Sequence, residues 1–184
     1  MNYKRILLDR HKAEMKTISM LNKIELIFQS YPINWSRFRL PKFETGLKKA
    51  EYSPLSPYKD LTHIEGPVVY YYQIIKGNAN SIRDLLIAYK NKKERTCPSV
   101  KQIRNSLILY VGSETKNFAR RTTEHFGLAH KNTGGLQLLH WASGADIKLC
   151  LHFSKIDAKY TAAIRHVEAA LAKHLNPVIG RMEK

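Results

Sequence analysis

Cysteine is nearly absent from this 184-residue chain: Cys97 and Cys150 stand far apart and without a CxxC partner. That excludes a disulfide scaffold and a cysteine zinc site, and it fits a reducing compartment. No run approaches the roughly 18 apolar residues that a membrane-spanning helix requires. The opening MNYKRILLDRHK has charges on both sides of a four-residue apolar run. It lacks the longer apolar stretch and small-residue cleavage site of an export signal, so a cytoplasmic location is the expectation. Acidic residues are scarce as well, 15 against 31 Lys and Arg, leaving a net charge of +16. Such a balance points to a polyanionic partner, with nucleic acid foremost. Internal repeats and low-complexity tracts are also missing. The 43% hydrophobic content is too high for disorder, and the length suits one domain with an extension.

Along the chain, Met15, Ile18, Leu21, Ile24, Leu26, Ile27 and Phe28 recur at mostly three- and four-residue steps, which predicts an amphipathic helix over 9–29. Prolines at 32, 41, 54 and 57 then punctuate an irregular stretch to Gly66, where Trp35, Phe38, Phe43, Tyr52 and Tyr58 alternate with basic residues. That stretch suits either a loop held on the core by its aromatics or a DNA contact through charge and stacking. Three strands are expected, at 68–75, 107–111 (stopping at Gly112) and 147–153. Helices are expected at 81–94, 116–129 (capped by Ser113 or Thr115), 136–142 and 158–175. Between 90 and 104, six positive residues face one negative. Lys92, Lys93, Arg95, Lys101 and Arg104, with Lys116 farther on, are candidate nucleic-acid contacts, a solvated charged face being the alternative.

Several residues resist a purely structural reading. In the last helix Ile164, Val167, Leu171 and Leu175 fall in one narrow sector, and Glu168 lies inside it. A carboxylate on such a stripe requires a partner, either an arginine or a metal ion. In the 116–129 helix Arg121 and His125 are four apart and share one face, while Arg120 and Glu124 are expected to point outward. In the first strand Tyr70 and Tyr72 share a face by the period of two and Tyr71 faces away, and Tyr110 ends the second strand.

This constellation resembles the GIY-YIG nuclease superfamily. The two tyrosine triplets read Val68-Val69-Tyr70 and Tyr110-Val111-Gly112, and the passage from Gly112 through Arg121 and His125 to Phe126 is the most specific match. Glu168 to Pro177 is similar to the family's glutamate helix and following proline. The resemblance covers about 66–181 and departs from the pattern in three places. Val68 stands where the family has glycine, with Tyr72 a competing choice for the first tyrosine. A helical insertion at about 78–105 separates the two motifs, as in elaborated restriction and defence members. Gly180 stands near the family's late asparagine.

The resemblance implies an α+β fold, a small three-stranded, mainly antiparallel sheet flanked by helices, over 66–184, preceded by a helical and irregular extension over 1–65. It also implies a divalent-metal-dependent endonuclease cutting double-stranded DNA, with Mg²⁺, or Mn²⁺ in its place, held by Glu168. Tyr70 would then help deprotonate the attacking water, Tyr110 orient water or phosphate, Arg121 stabilise the pentacovalent phosphate, and His125 relay a proton or hold phosphate. A catalytically degenerate nucleic-acid-binding module is the alternative. A histidine metal site lacks a recognisable spacing among the eight histidines. The extension holds 12 basic and 7 acidic residues against 19 and 8 afterwards, so no separate basic reader domain stands out, and a stand-alone restriction-type enzyme fits best. A homodimer would account for double-strand cleavage with one active centre per chain.

Overall fold

Alternating burial in the segment Tyr70-Tyr71-Tyr72 lies at the centre of the fold. The computed structural model describes residues 21–35, 64–100 and 106–180, together with Ser19 and Leu61. The chain runs through β1 (Gln29–Pro32), β2 (Val68–Lys76), α1 (Ala79–Asn91), β3 (Ile108–Glu114), α2 (Phe118–Phe126), α3 (Leu138–Trp141), β4 (Lys148–Lys155), a 3₁₀ turn (Ala158–Ala163) and α4 (Ile164–Leu175). The strands form one open antiparallel sheet in the order β1-β4-β2-β3, so the tyrosine-rich β2 is interior. This is an α+β architecture.

The sheet has four strands rather than the expected three, because Gln29–Pro32 pairs with Cys150 to Phe153 along the outer edge of β4. Proline is tolerated there because an edge strand has one side free of ladder bonds. The expected helix over 9–29 fails for its described end. Leu21 is the last described helical residue, and residues 24–28 belong to neither helix nor strand. Ile24, Leu26 and Phe28 turn inward while Glu25 and Ile27 turn out, a period of two that outranks the three- and four-residue steps. Most of the expected basic and aromatic stretch lies outside the described residues.

The two faces of the sheet bury different layers. Val68, Tyr70, Tyr72 and Ile74 join Ile82, Leu86, Phe118, Phe126, Leu136 and Trp141 in the main core, under α1 to α3. Val69 packs instead with Ile156, Ile164 and Val167, so α4 and the 21–28 segment cover the opposite face. Burying a residue such as Leu86 or Phe126 contributes about 1.5–3 kcal/mol, which makes these layers the main source of stability.

Local chemistry corrects several element ends. β3 continues through Gly112 to Glu114 instead of stopping at the glycine. The N-cap of α2 is Asn117, whose side chain accepts the Arg120 N–H at 2.8 Å, rather than Ser113 or Thr115. The helix stops at Gly127, which adopts φ 84° and donates its N–H to the Glu124 carbonyl. The last helix begins as a 3₁₀ turn and becomes α only at Ile164. After α4, Val178 and Ile179 donate their N–H groups to the Ile108 and Leu109 carbonyls, covering the start of β3's outer edge. Among the described residues no helix is long and apolar enough to cross a membrane.

Candidate active site

Where the cover over β3 ends, a cleft of about 770 Å³ opens. Its walls include Tyr110 and Val111 from β3, Arg121 from α2, Gly134 and Leu136 from the following loop, Arg165 and Glu168 from α4, and Pro177. Residues far apart in the chain, Cys97–Ser99 among them, thus meet at one edge of the sheet.

Arg121 is brought there by the helical spacing from its cap. Its Nη1 donates to Glu124 Oε2 at 2.8 Å, its Nη2 to the Gly134 carbonyl at 3.5 Å and its Nε to the Tyr70 hydroxyl at 3.4 Å. Burial works against the Arg121 charge, but the facing Tyr70 phenol and the Glu124 carboxylate outweigh it and hold the guanidinium firmly protonated. Glu124 was expected to face solvent. It is buried, its carboxylate held between Arg121 Nη1 and Arg120 Nη1, from both of which it accepts. Arg120 reaches Glu114 at 3.5 Å as well, so a carboxylate bracketed by two arginines anchors the helix beside the cleft.

Behind this wall sits Tyr70, fully buried, with its hydroxyl 2.7 Å from His125 Nε2. His125 is also fully buried, and its Nδ1 accepts the Leu136 N–H at 3.2 Å. The rings of Tyr70, Tyr72 and Tyr110 surround the imidazole at centroid distances of 5.6, 5.6 and 5.0 Å. Burial pushes the Tyr70 phenol well above its usual pKa, the Tyr110 ring adds to this, and Arg121 offsets only part. Burial, with Arg121 close by, pushes the His125 imidazole well below its ordinary value, so it is neutral.

Gly112 explains how the two tyrosines meet. It pairs with Tyr70 across the β2-β3 ladder, and a Cβ on it would stand 2.7 Å from the Tyr70 hydroxyl oxygen and 2.7 Å from a Tyr110 ring carbon. Only a residue without a side chain lets both rings close over this point.

Glu168 lies at the rim of the α4 interface rather than within its core, with about a quarter of its side chain exposed (23%). Oε2 accepts the Ser113 hydroxyl and Arg165 Nη1, the latter at 2.8 Å, and no hydrogen bond engages Oε1 among the described residues. The expected arginine partner is therefore present, one turn away on the same helix.

The cleft gathers Tyr110, Arg121 and Glu168; Tyr70 and His125 form a hydrogen-bonded pair directly beneath. Tyr72 shares Tyr70's face and makes ring contact with both Tyr70 and His125, while the hydroxyl that Arg121 Nε reaches is that of Tyr70. Of the candidate nucleic-acid contacts, Lys92, Lys93 and Lys116 are exposed. Arg95 turns inward, giving Nε to Gln137 and Nη2 to the Gly127 and Ala129 carbonyls at the end of α2. Lys101 and Arg104 lie outside the described residues. Ser113, Glu124, Arg165 and the Leu136 amide also belong to the site; the sequence offers Ser113 only as a cap and Glu124 only as an outward-facing residue, and the Arg121-Glu124 and Arg165-Glu168 spacings of three are the available signals for two of the four. Compared with family models, curated proteins and solved structures, the chain matches none of them.

Proposed function

We propose that this chain is a divalent-metal-dependent endonuclease of the GIY-YIG and restriction type, acting on double-stranded DNA in the cytoplasm. One observation carries the reading: an arginine, a tyrosine and a carboxylate converge on a single cleft in a chain of net charge +16. Arg121, preset by three hydrogen-bond acceptors, is placed to stabilise developing charge on a phosphate without reorganising. Tyr110, half-buried on the cleft wall, is the tyrosine that can touch water or phosphate. Tyr70, sealed from solvent and held protonated, supports Arg121 and Tyr110 from behind instead of taking a proton from water.

Glu168 would hold the metal ion. Its free Oε1 faces no competing partner among the described residues, and no group of three His, Cys, Asp or Glu that could hold a metal occurs among them. A single carboxylate suits Mg²⁺ or Mn²⁺, which retain water and share phosphate oxygens, and does not suit zinc. When bound, such an ion neutralises phosphate oxygens and lowers the pKa of the attacking water.

The burial of Tyr70 and the Arg165-Glu168 ion pair favour a second reading, a module that binds nucleic acid without cutting it. Incubating supercoiled plasmid with the protein and Mg²⁺ or Mn²⁺, beside an EDTA control, separates the two. Nicked or linear product that EDTA abolishes supports the nuclease. Salt-sensitive binding without product supports the module.

A further inference from the structure

The turn after α2 fixes the chemical state of a histidine. A ring nitrogen that accepts an amide N–H carries no proton, and Nδ1 of His125 accepts the Leu136 N–H. The neutral ring must therefore carry its hydrogen on Nε2, which donates to the Tyr70 hydroxyl oxygen 2.7 Å away. Arg121 Nε donates to the same oxygen, so the phenol's own hydrogen is turned away from the imidazole.

The Leu136 amide cannot easily retreat. The Leu136 side chain is fully buried, and its carbonyl accepts the Trp141 indole N–H at 2.7 Å. Just before it, Gly135 lies so close to α2 that a Cβ would overlap the Glu124 carbonyl oxygen and stand 2.5 Å from its carbon. Just after it, Gln137 holds a left-handed backbone at φ 58°, braced by bonds from its side-chain N–H groups to the Thr133 and Thr96 carbonyls and by Arg95 Nε donating to its Oε1. A non-glycine residue in that conformation persists only where its surroundings over-determine it.

We propose that His125 is a positioning residue rather than a proton relay: the Gly135-Leu136 turn locks it in the Nε2–H form, and it serves as a fixed donor that orients Tyr70 beneath the cleft. Relay would require Nε2 to take the phenol proton, which would set a protonated Nδ1 against the Leu136 N–H. The groups facing the ring are Tyr70 and Tyr72 from β2, Tyr110 from β3, Arg121 from α2 and the Leu136 amide. None is a carboxylate, and Arg121 opposes protonation. The relevance to cleavage rests on the nuclease reading, whereas the tautomer does not.

Long-range ¹H–¹⁵N correlation spectra of the wild-type protein test the lock directly. His125 is expected to show an unprotonated Nδ1 and a protonated Nε2, unchanged between about pH 5 and 8. A protonated Nδ1, or a titration within that range, would overturn the proposal whether or not the protein cuts DNA. For an active enzyme, His125→Gln, whose amide N–H₂ can replace the Nε2 donor, is expected to cleave within about tenfold of wild type, because the donor is retained. If His125 relays a proton, His125→Gln loses the roughly 10²–10⁴-fold of an acid–base group, as His125→Ala would. Equal losses in the two variants, with both folded by circular dichroism, would refute the positioning role.

Discussion

Alanine substitution at three glycines around the cleft makes the packing account quantitative. Gly134 has nothing within 4 Å of an added Cβ and no left-handed backbone. Gly134→Ala should be neutral or stabilising by about 0.4–1 kcal/mol, through reduced freedom of the unfolded chain. At Gly112 the added methyl meets the Tyr70 and Tyr110 rings at 2.7–2.8 Å. These are side chains, which can shift, so the cost falls at the lower end of overpacking, about 1–2 kcal/mol. At Gly135 it meets the Glu124 carbonyl, which already accepts the Gly127 N–H that ends α2. Relief there requires moving a helix, and the cost is about 3 kcal/mol or more. For a chain of this size each kcal/mol moves Tm by roughly 2–4 °C. Thermal unfolding followed by circular dichroism should therefore rank Gly134→Ala at or above wild type, Gly112→Ala roughly 2–8 °C below it, and Gly135→Ala lowest by roughly 6–12 °C or more. Equal melting temperatures for the 134 and 135 variants would refute the claim that the loop is pressed against α2.

Further outcomes follow from individual contacts. Glu124→Gln, which removes the charge bracketing Arg120 and Arg121, should lower the cleavage rate by about 10–100-fold with little change in DNA affinity, as expected for a loosened transition-state contact; a pure affinity loss in binding and single-turnover assays would contradict it. Arg95→Ala should destabilise the fold by about 1–3 kcal/mol in urea titrations, by taking their charged donor from the Ala129 carbonyl and the Gln137 side-chain oxygen, whereas the Gly127 carbonyl keeps His140 Nε2 at 3.1 Å. It should leave the salt dependence of DNA binding intact, whereas Lys92→Ala or Lys93→Ala should reduce that slope by about one unit if each meets a phosphate. The lowered pKa values of His125 and His152 predict a pH effect on stability. Below their unfolded value of about 6.5 the unfolded chain binds more protons, so stability is full above that pH and declines as pH falls through and below it. His125 alone contributes a slope of up to about 1.4 kcal/mol per pH unit. Urea midpoints between pH 7.5 and 5 should fall for wild type and fall less for His125→Gln.

Local periodicity made the centre of the fold legible. The two-residue period of Tyr70 and Tyr72, the four-residue step from Arg121 to His125 and the punctuation at Gly66, Gly112 and Pro177 gave the interior strands and the helix that carries the arginine. The same kind of signal is ambiguous over 24–28, where a two-residue alternation sits inside a window that also satisfies helical spacing. The fourth strand was illegible because its pairing with Cys150 to Phe153 spans more than a hundred residues. Glu124 and Arg95 look solvated within their own helix or turn for a related reason: the sequence does not show the two arginines that close on Glu124, or the Gln137 side chain and the Gly127 and Ala129 carbonyls that draw Arg95 inward. The position of Glu168 on an apolar stripe shows that it needs a partner, and Arg165 is one, but the stripe does not reveal Ser113, which approaches from β3.

The most direct test of the central claim is single-turnover cleavage of double-stranded DNA with Mg²⁺, measured together with binding, for wild type, Arg121→Ala and Glu168→Ala. If the cleft is the reacting centre, wild type cuts, both variants stop cutting, and all three bind with similar affinity and salt dependence. Variants that cut like wild type, or a wild type that binds DNA without ever cutting it, would contradict the account.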